Sequence, residues 1–313
     1  MNFQQLRIIR ETVRRRFNLT EVANALNTSQ SGVSKHIKDL EDELGVTLFV
    51  RRGKRFLGLT PLGSEVAEIA SRILLDVGNI KTVADQFAGR DEGQLSVATT
   101  HTQARYALPR VVAAFKQAFP KVHLVLHQGS PDEIIRMLLN EEADIGIATE
   151  GVADQPDLVT FPFYRWHHAV IVPTGHPLES VRPLTLQAVG RFPIVTYQQG
   201  LTGRAKIDEA FDSAGITPEI VMSAVDSDIV KTYVQLGLGI GIVPIFAYHP
   251  LTDAGLTLLE DPILFGDCFA RIAVRRGHYL RSFGYRFVAM CNPALELSAI
   301  EAELQASLSS YDI

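Results

Sequence analysis

The chain has 313 residues, of which 46% are hydrophobic and 21% are charged, and its formal net charge is −5 at pH 7. This composition is typical of a globular protein long enough for two domains. Two cysteines are too few for a disulfide framework. The sequence also lacks an apolar stretch long enough for a membrane span and the apolar leader of a secretory signal. We therefore expect a cytoplasmic protein.

The first predicted helix runs from about residue 2 to Arg16, with Phe3, Leu6, Ile9 and Val13 on one side. Three arginines, Arg14–Arg16, close it. Cations are favourable at a helix C-terminus, but the same side chains could equally contact a DNA backbone. The sequence leaves both interpretations open.

Residues 18–55 predict a helix–turn–helix followed by a basic wing. A short apolar face (Val22, Ala23, Leu26) precedes the polar turn 27–29. A second amphipathic helix then follows at spacings of four, three and four, through Val33, Ile37, Leu40 and Leu44. Gly45 ends this helix, as a residue in the left-handed conformation would.

We expect the outward side of the second helix and the wing to contact duplex DNA. The candidate residues are Ser29, Gln30, Ser31, Ser34, Lys35 and Lys38 on the helix, and Arg51, Arg52, Lys54 and Arg55 on the wing. Through Gly58 there are eleven Lys and Arg against six Asp and Glu, a net charge of +5, whereas the remainder carries −10. Because this basic character is confined to one end, DNA binding is favoured over a small helical core with a solvated charge run.

A long helix is predicted after Thr60-Pro61, an N-cap followed by proline at the first helical position. It runs to about Phe87. Apolar residues recur seven apart at Val66, Ile73, Ile80 and Phe87, with Leu62, Ile69 and Val83 between them. This coiled-coil pattern favours pairing with a second copy of the chain over burial against its own domain. Residues 89–93 form the predicted hinge.

From Gln94 onward strands alternate with helices, which predicts an α/β fold with parallel sheets. The predicted strands are Leu95–Thr99, Val122–His127, Asp144–Ala148, Ala169–Val172, Pro193–Thr196, Ile220–Ala224, Ile240–Val243 and Arg271–Val274. The predicted helices are Ala104–Phe119, Pro131–Glu141, about 203–214, one from Asp226 and one near Leu280–Met290. These units are too many for one small sheet, so we expect two lobes with a cleft between them, the last strand and helix returning to the first lobe.

Hydroxyl-rich segments follow the predicted strands at 99–103, 128–131 and 149–150, and another segment, 199–204, precedes a helix of the second lobe. Ligands bind at the carboxyl ends of strands in open α/β sheets, and helix N-termini present free N–H donors. The pattern therefore predicts a site for a small anion. Any single threonine could instead only cap its helix.

Motifs of catalysis are not found. Neither a Gly-x-Ser-x-Gly nor a phosphate-binding loop occurs, and the glycines 237, 239 and 241 precede a strand instead of opening a helix. The nine histidines do not form a convincing metal site. We expect Phe163, Tyr164 and Trp166 to be core between the lobes, with contact to a ligand as the alternative.

Taken together, these residues resemble the LysR-type transcriptional regulators, and within them the branch of CysB and Cbl. The family-wide part is Thr28–Ser34 followed by Leu40-Glu41, Leu44-Gly45, Leu48-Phe49 and Arg51. The branch-specific part is Ala98–Pro109, His127–Pro131, Ile147–Glu150, Leu201–Arg204 and Asp228–Val234. The resemblance covers nearly the whole chain.

The resemblance implies a winged helix–turn–helix at 1–60, a linker helix and hinge at 61–90, and a periplasmic-binding-protein-like effector domain at 91–313. Lobe I would comprise about 91–164 and 267–296, and lobe II about 165–266. The residues that the resemblance assigns to the effector pocket are Thr100, Thr102, Gln103, Gln128, Gly129, Thr149 and Thr202.

The resemblance further implies a homotetramer that binds promoter DNA and RNA polymerase and regulates sulfur assimilation, without enzymatic activity or a cofactor. Its effectors would be O- or N-acetylserine, sulfate, thiosulfate or adenylyl sulfate. The alternatives are a LysR-type regulator of another pathway and a solute-binding module without regulatory consequence.

Overall fold

The computed structural model describes residues 1–53, 55–87, 92–149, 151–201 and 203–309. The chain divides into two compact units, Met1–Ala88 with Gly277–Tyr279, and Gly89–Arg276 with Leu280–Ile313. The long helix that the sequence analysis sets apart as a linker is grouped with the N-terminal unit. Residues 89–91 of the predicted hinge lie outside the described residues.

The N-terminal unit contains the predicted helix–turn–helix and wing. Its elements are α1 (Phe3–Arg14), α2 (Leu19–Ala25), α3 (Gln30–Leu44), β1 (Phe49–Arg52), β2 (Arg55–Leu59) and α4 (Pro61–Phe87). Asn2, Asn18 and Ser29 cap the first three helices by accepting backbone N–H groups. Gly45 ends α3 with φ 70°, as predicted. Helix α1 ends two residues earlier than predicted, because Arg16 and Phe17 have positive φ angles.

Helix α4 buries one side and exposes another. Thr60 caps it by accepting the Gly63 N–H at 2.9 Å. Ala70 and Leu74 pack against Leu6 of α1. Three apolar residues of the predicted heptad pattern remain exposed, namely Leu62, Ile69 and Ile80. The helix therefore packs on its own unit and still presents an apolar stripe.

The second unit is a mixed α/β domain. Its strands are β3 (Gly93–Thr99), β4 (Val122–Gln128), β5 (Ile145–Ala148), β6 (Leu158–Pro173), β7 (Ile194–Tyr197), β8 (Ile220–Ala224), β9 (Ile240–Pro244), β10 (Leu256–Leu259) and β11 (Asp267–Arg275). Its helices are α5 (Leu108–Ala118), α6 (Pro131–Leu139), α7 (Leu186–Val189), α8 (Arg204–Ser213), α9 (Ser227–Gln235), α10 (Ser282–Cys291) and α11 (Leu297–Ser309), and a π-helix (Gln103–Ala107) precedes α5.

Two lobes share one run of strands in the order β4-β3-β5-β11-β6-β9-β7-β8, with β10 beside β6. The outer strands of each lobe are parallel, whereas β6 and β11 pair antiparallel along most of their length. One core contains Val97, Ile147 and Phe161, and the other contains Val170, Ile194 and Phe211. Strand β6 contributes to both cores, which confirms the predicted two-lobed fold.

Ile272, Val274, Phe283 and Phe287 lie in the first-lobe core, so β11 and α10 pack with that lobe. Five elements differ from the sequence-based expectation. Only residues 169–172 of the 16-residue β6 were predicted, because its first half mixes polar residues and Pro162 into the apolar pattern. The predicted helix Ala104–Phe119 begins as a π-helix, and β10, α7 and α11 were not predicted.

Candidate functional site

The outward side of α3 carries the predicted base-reading residues. Gln30, Ser31, Lys35 and Lys38 are exposed, while Val33, Ile37 and Leu40 are buried beneath them. Ser29 is exposed but serves as the N-cap, since its Oγ accepts the Gly32 N–H at 3.0 Å and lies 3.1 Å from Ser31 Oγ. Ser34 is half-buried. Gln30, Lys35 and Lys38 are thus long side chains presented together to solvent.

The wing is held by Glu41, a role that the sequence analysis did not assign. The Glu41 carboxylate accepts the backbone N–H groups of Leu48 at 2.8 Å and Phe49 at 3.2 Å, and it forms an ion pair with Arg51. The Arg51 guanidinium also lies 4.5 Å from the centre of the Phe56 ring. The Leu40-Glu41 motif is the sequence signal that could have indicated this role of Glu41. Arg51, predicted as a DNA contact, therefore has intramolecular partners on two sides.

The other wing residues are placed differently. Arg52 and Arg55 are exposed at the hairpin tip, where β1 ends and β2 begins. Lys54 lies outside the described residues. At the end of α1, Glu11 forms ion pairs with Arg14 and Arg15 at 3.3 Å each, so two of the three terminal arginines fold back onto their own helix.

In the second unit, the predicted effector residues gather at the carboxyl ends of three neighbouring strands. Parallel pairing places Thr99 of β3 opposite Gln128 of β4 and Ile147 of β5. The Gly129 N–H donates to the Thr99 carbonyl at 3.1 Å, which joins two of the loops. Thr100, Thr102 and Gln103 are buried, Gly129 and Thr149 are half-buried, and Gln128 is exposed. Six of the seven predicted residues thus lie at one edge of the sheet, and Thr202 lies outside the described residues.

Gln103 is fixed by a partner from β6. The Tyr164 hydroxyl donates to Gln103 Oε1 at 2.6 Å. Burial raises the pKa of Tyr164 well above its ordinary value, so the phenol remains a donor at neutral pH. Oriented in this way, the Gln103 amide can direct its N–H groups toward an anion.

An aromatic cluster lies beside this pair. Trp166, Cys268 and Ala270 are buried together, and Phe163, Tyr164 and Phe246 pack against them. The Trp166 and Phe246 rings are 5.5 Å apart. Because Phe246 follows β9 of the second lobe, the predicted packing of the aromatic residues between the lobes is confirmed. Within the described part of the chain, Trp166 Nε1 and His101 Nδ1 are buried without a hydrogen-bond partner.

The second lobe contributes the start of α8. Gly203 has φ +69°, and a Cβ there would lie 2.7 Å from His168 Cε1 and 3.0 Å from Cys268 Sγ. Both neighbours are buried, so only glycine fits. The next residue, Arg204, is buried and donates to Asp208 Oδ1 at 2.7 Å and to the Tyr197 carbonyl. This arginine therefore holds the segment in place.

Among the described residues, no group of three or more His, Cys, Asp or Glu is arranged to hold a metal ion. Both cysteines are buried free thiols. In the same residues, none of the helices has the length and apolar character needed to cross a membrane.

Comparison with known proteins matches both units of the chain to LysR families. The family described as bacterial regulatory helix-turn-helix protein, lysR family, matches residues 3–64, and the LysR substrate binding domain matches residues 88–299. The chain is 54% identical over 308 residues to the HTH-type transcriptional regulator SsuR of Burkholderia cenocepacia, covering 98% of this chain and 100% of the relative. It is 50% identical to the HTH-type transcriptional regulator cbl of Escherichia coli, covering 98% and 97%.

The crystal structure of the cofactor-binding domain of the Cbl transcriptional regulator matches the fold with a TM-score of 0.66 and 46% identity, covering 68% of this chain and 93% of that domain. Three observations point to the same family. They are the helix–turn–helix with an exposed polar face, the two-lobed ligand-binding fold and the relatives named as regulators. The chain belongs to the LysR family of bacterial transcriptional regulators, in the branch that includes Cbl and CysB.

Proposed function

We propose that this regulator controls genes of sulfur acquisition in response to a small anionic effector bound between the lobes of its second unit. The observation that carries the proposal is the burial of Thr100, Thr102 and Gln103 at the carboxyl end of β3. Hydroxyl and amide groups can donate hydrogen bonds to an anion, and together they suit sulfate, thiosulfate, an acetylserine or adenylyl sulfate. Gln128, Gly129, Thr149 and Thr202 complete the proposed site.

The regulatory output follows from differential affinity. A ligand that binds the closed lobes more tightly than the open lobes shifts the population toward the closed form. We propose that this shift changes the packing of subunits in a homotetramer and hence the spacing of its DNA-binding heads on a promoter in the cytoplasm. The exposed stripe Leu62, Ile69 and Ile80 on α4 supports pairing through that helix. RNA polymerase is the proposed further partner.

The effector is tested by thermal unfolding and calorimetric titration of the full chain with sulfate, thiosulfate, O-acetylserine, N-acetylserine and adenylyl sulfate. Thr102→Val keeps the shape of the side chain but removes its hydroxyl. We expect a binding anion to raise the melting temperature of the parent chain. We expect Thr102→Val to weaken the affinity for that anion about tenfold, as the loss of a hydrogen bond to a charged ligand implies. Thr47→Val, at an exposed position of the DNA-binding unit, is the matched control.

The regulatory part is tested by footprinting on promoters of sulfur-acquisition genes at moderate ionic strength. We expect a preference for these promoters over random duplex and a footprint that changes with the bound anion. Anion binding without any change in the footprint would favour a solute-binding module. A preference for unrelated promoters would instead assign the regulator to another pathway.

A further inference from the structure

Tyr106 extends from one lobe of the effector domain to the other. It stands on the π-helix Gln103–Ala107, directly before α5, and Leu108 and Phe115 of α5 lie in the first-lobe core. The Tyr106 side chain, however, packs against the second-lobe cluster that contains Tyr197, Val230 and Ala247. Single π-turns are rare and occur frequently at functional sites.

Across the lobes, Tyr106 and its neighbour Arg105 converge on one carboxylate. The Tyr106 hydroxyl donates to Asp228 Oδ1 at 2.6 Å, and Arg105 Nε lies 3.4 Å from Asp228 Oδ2. Asp228 is in the first turn of α9. The Tyr106 ring also lies 5.3 Å from Lys231 Nζ and 6.3 Å from the Phe246 ring. Two adjacent residues of the first lobe thus bind a single helix end of the second.

The second-lobe side of this contact is anchored in the protein interior. Lys231 Nζ lies 3.2 Å from Asp228 Oδ1 and 3.0 Å from Asp253 Oδ1, and it donates to the Ala247 carbonyl at 3.0 Å. Asp253 also accepts the His249 backbone N–H at 2.8 Å. Lys231 and Asp253 are only 7% and 6% exposed. Because a buried charge is stable only when partnered, this network fixes the position of Asp228.

The protonation states suit a strong hydrogen bond. Burial and the bond to Asp228 raise the pKa of Tyr106 to about 12, so its phenol remains a neutral donor. Burial acts to raise the pKa of Asp228, but hydrogen bonds from Tyr106 and Lys231 outweigh it and hold that pKa below its ordinary value. A neutral donor therefore faces an ionised acceptor, the stronger class of hydrogen bond.

We propose that Arg105, Tyr106, Asp228 and Lys231 form a latch that holds the two lobes in the closed arrangement. Tyr106 follows Gln103, a proposed effector residue, by three positions on the same π-helix. A ligand bound to Gln103 and the latch at Tyr106 therefore both act on the position of this π-helix. The link to effector affinity rests on the proposed function. The contact between the lobes does not.

Hydrogen exchange of the full chain tests the latch directly. Tyr106→Phe removes only the hydroxyl, and we expect amide exchange at 103–107 and at the start of α9 to accelerate about tenfold, while exchange within β9 stays unchanged. Tyr233→Phe is the matched control. Tyr233 lies on α9, the helix that carries Asp228, and its hydroxyl makes no hydrogen bond within the described residues. Equal exchange in the two variants would overturn the proposal.

A second variant keeps the test valid if Tyr106→Phe unfolds. Asp228→Asn should also accelerate exchange at 103–107, and the double variant should be no faster than the faster single variant, because both changes remove the same contact. Multiplying effects would show that the two residues act separately and would overturn the latch.

Sulfate titration of the same proteins tests the link to ligand binding. A smaller closed fraction weakens the apparent affinity, and we expect a loss of about three- to tenfold in Tyr106→Phe and none in Tyr233→Phe. Faster exchange with unchanged sulfate affinity would support the latch and overturn its coupling to the effector. If the parent chain does not bind sulfate, the proposed effector fails for that anion, and the exchange experiment still decides the latch.

Discussion

The residues proposed to meet DNA and those proposed to meet the effector are brought together by the chain in opposite ways. The DNA set lies between Ser29 and Arg55, on one helix and the hairpin that follows it, and those of its long side chains that the structure describes are exposed. The effector set comes from separate segments between Thr100 and Thr202, and three of its described residues are buried. The first site is thus a surface displayed by local structure, whereas the second exists only after distant strands have paired.

This difference has energetic consequences. Replacing an exposed side chain on α3 or the wing should change recognition and leave folding nearly intact. Replacing a residue around the effector site should also disturb packing, because its neighbours have no space to move. The following substitutions are ordered from the largest expected effect to the smallest.

Gly203→Ala should have the largest effect. The new methyl group would meet His168 and Cys268 in a left-handed backbone conformation, and we expect a loss of about 2–4 kcal/mol in the free energy of unfolding of the effector domain. Chemical denaturation measures it. Gly215→Ala is the control, because Gly215 has φ +66° and open space around its Cβ position, so it should lose only about 1 kcal/mol. Equal losses would mean that packing around Gly203 is not tight.

Gln30→Ala sharpens the comparison from the DNA side. If Gln30 reads a base edge, its loss should relax discrimination at one operator position by about 1–3 kcal/mol and leave the unfolding free energy unchanged. Competition binding with single-base operator variants measures this. A uniform loss of affinity over all sequences would instead assign Gln30 to the backbone.

Arg51→Ala should disturb the wing itself. The substitution removes the ion pair with Glu41 and the contact with Phe56, and because the pair is partly solvated we expect a loss of only about 1 kcal/mol in the stability of the N-terminal unit. Thermal unfolding of the full chain detects it. If stability is unchanged and only DNA affinity falls, Arg51 acts as a phosphate contact in the way the sequence predicts.

Arg52→Ala is the matched change at the residue after Arg51, and it should have the smallest effect. Arg52 is exposed, so we expect unaltered stability and a decrease of about 0.9 in the slope of log affinity against log salt concentration, the value for one phosphate contact. Binding isotherms at several salt concentrations provide the slope. An unchanged slope would remove Arg52 from the DNA interface.

Much of the fold could be predicted from periodicity and caps. The helix–turn–helix, Gly45, the wing and the Thr60 cap depend on interactions between residues close in sequence, so their signals are continuous. Strand β6 was predicted only in part, because its first half is stabilised by pairing with β11, about a hundred residues away. The carboxyl-end threonines were predicted as effector residues because ligands bind at strand ends in this fold class, and this role stays a prediction.

The sequence by itself determined that one end of the chain is a basic helix–turn–helix and that hydroxyl-bearing loops follow the strands of an α/β body, since both features arise from local patterns. Only the tertiary structure decided which side chains hold these elements in place. Glu41 fixes the wing, Tyr164 orients Gln103, and Asp228 receives Tyr106 from the other lobe. Each of these contacts joins residues that are far apart along the chain or on different elements, and a hydrogen bond of that kind depends on distances that no sequence spacing encodes.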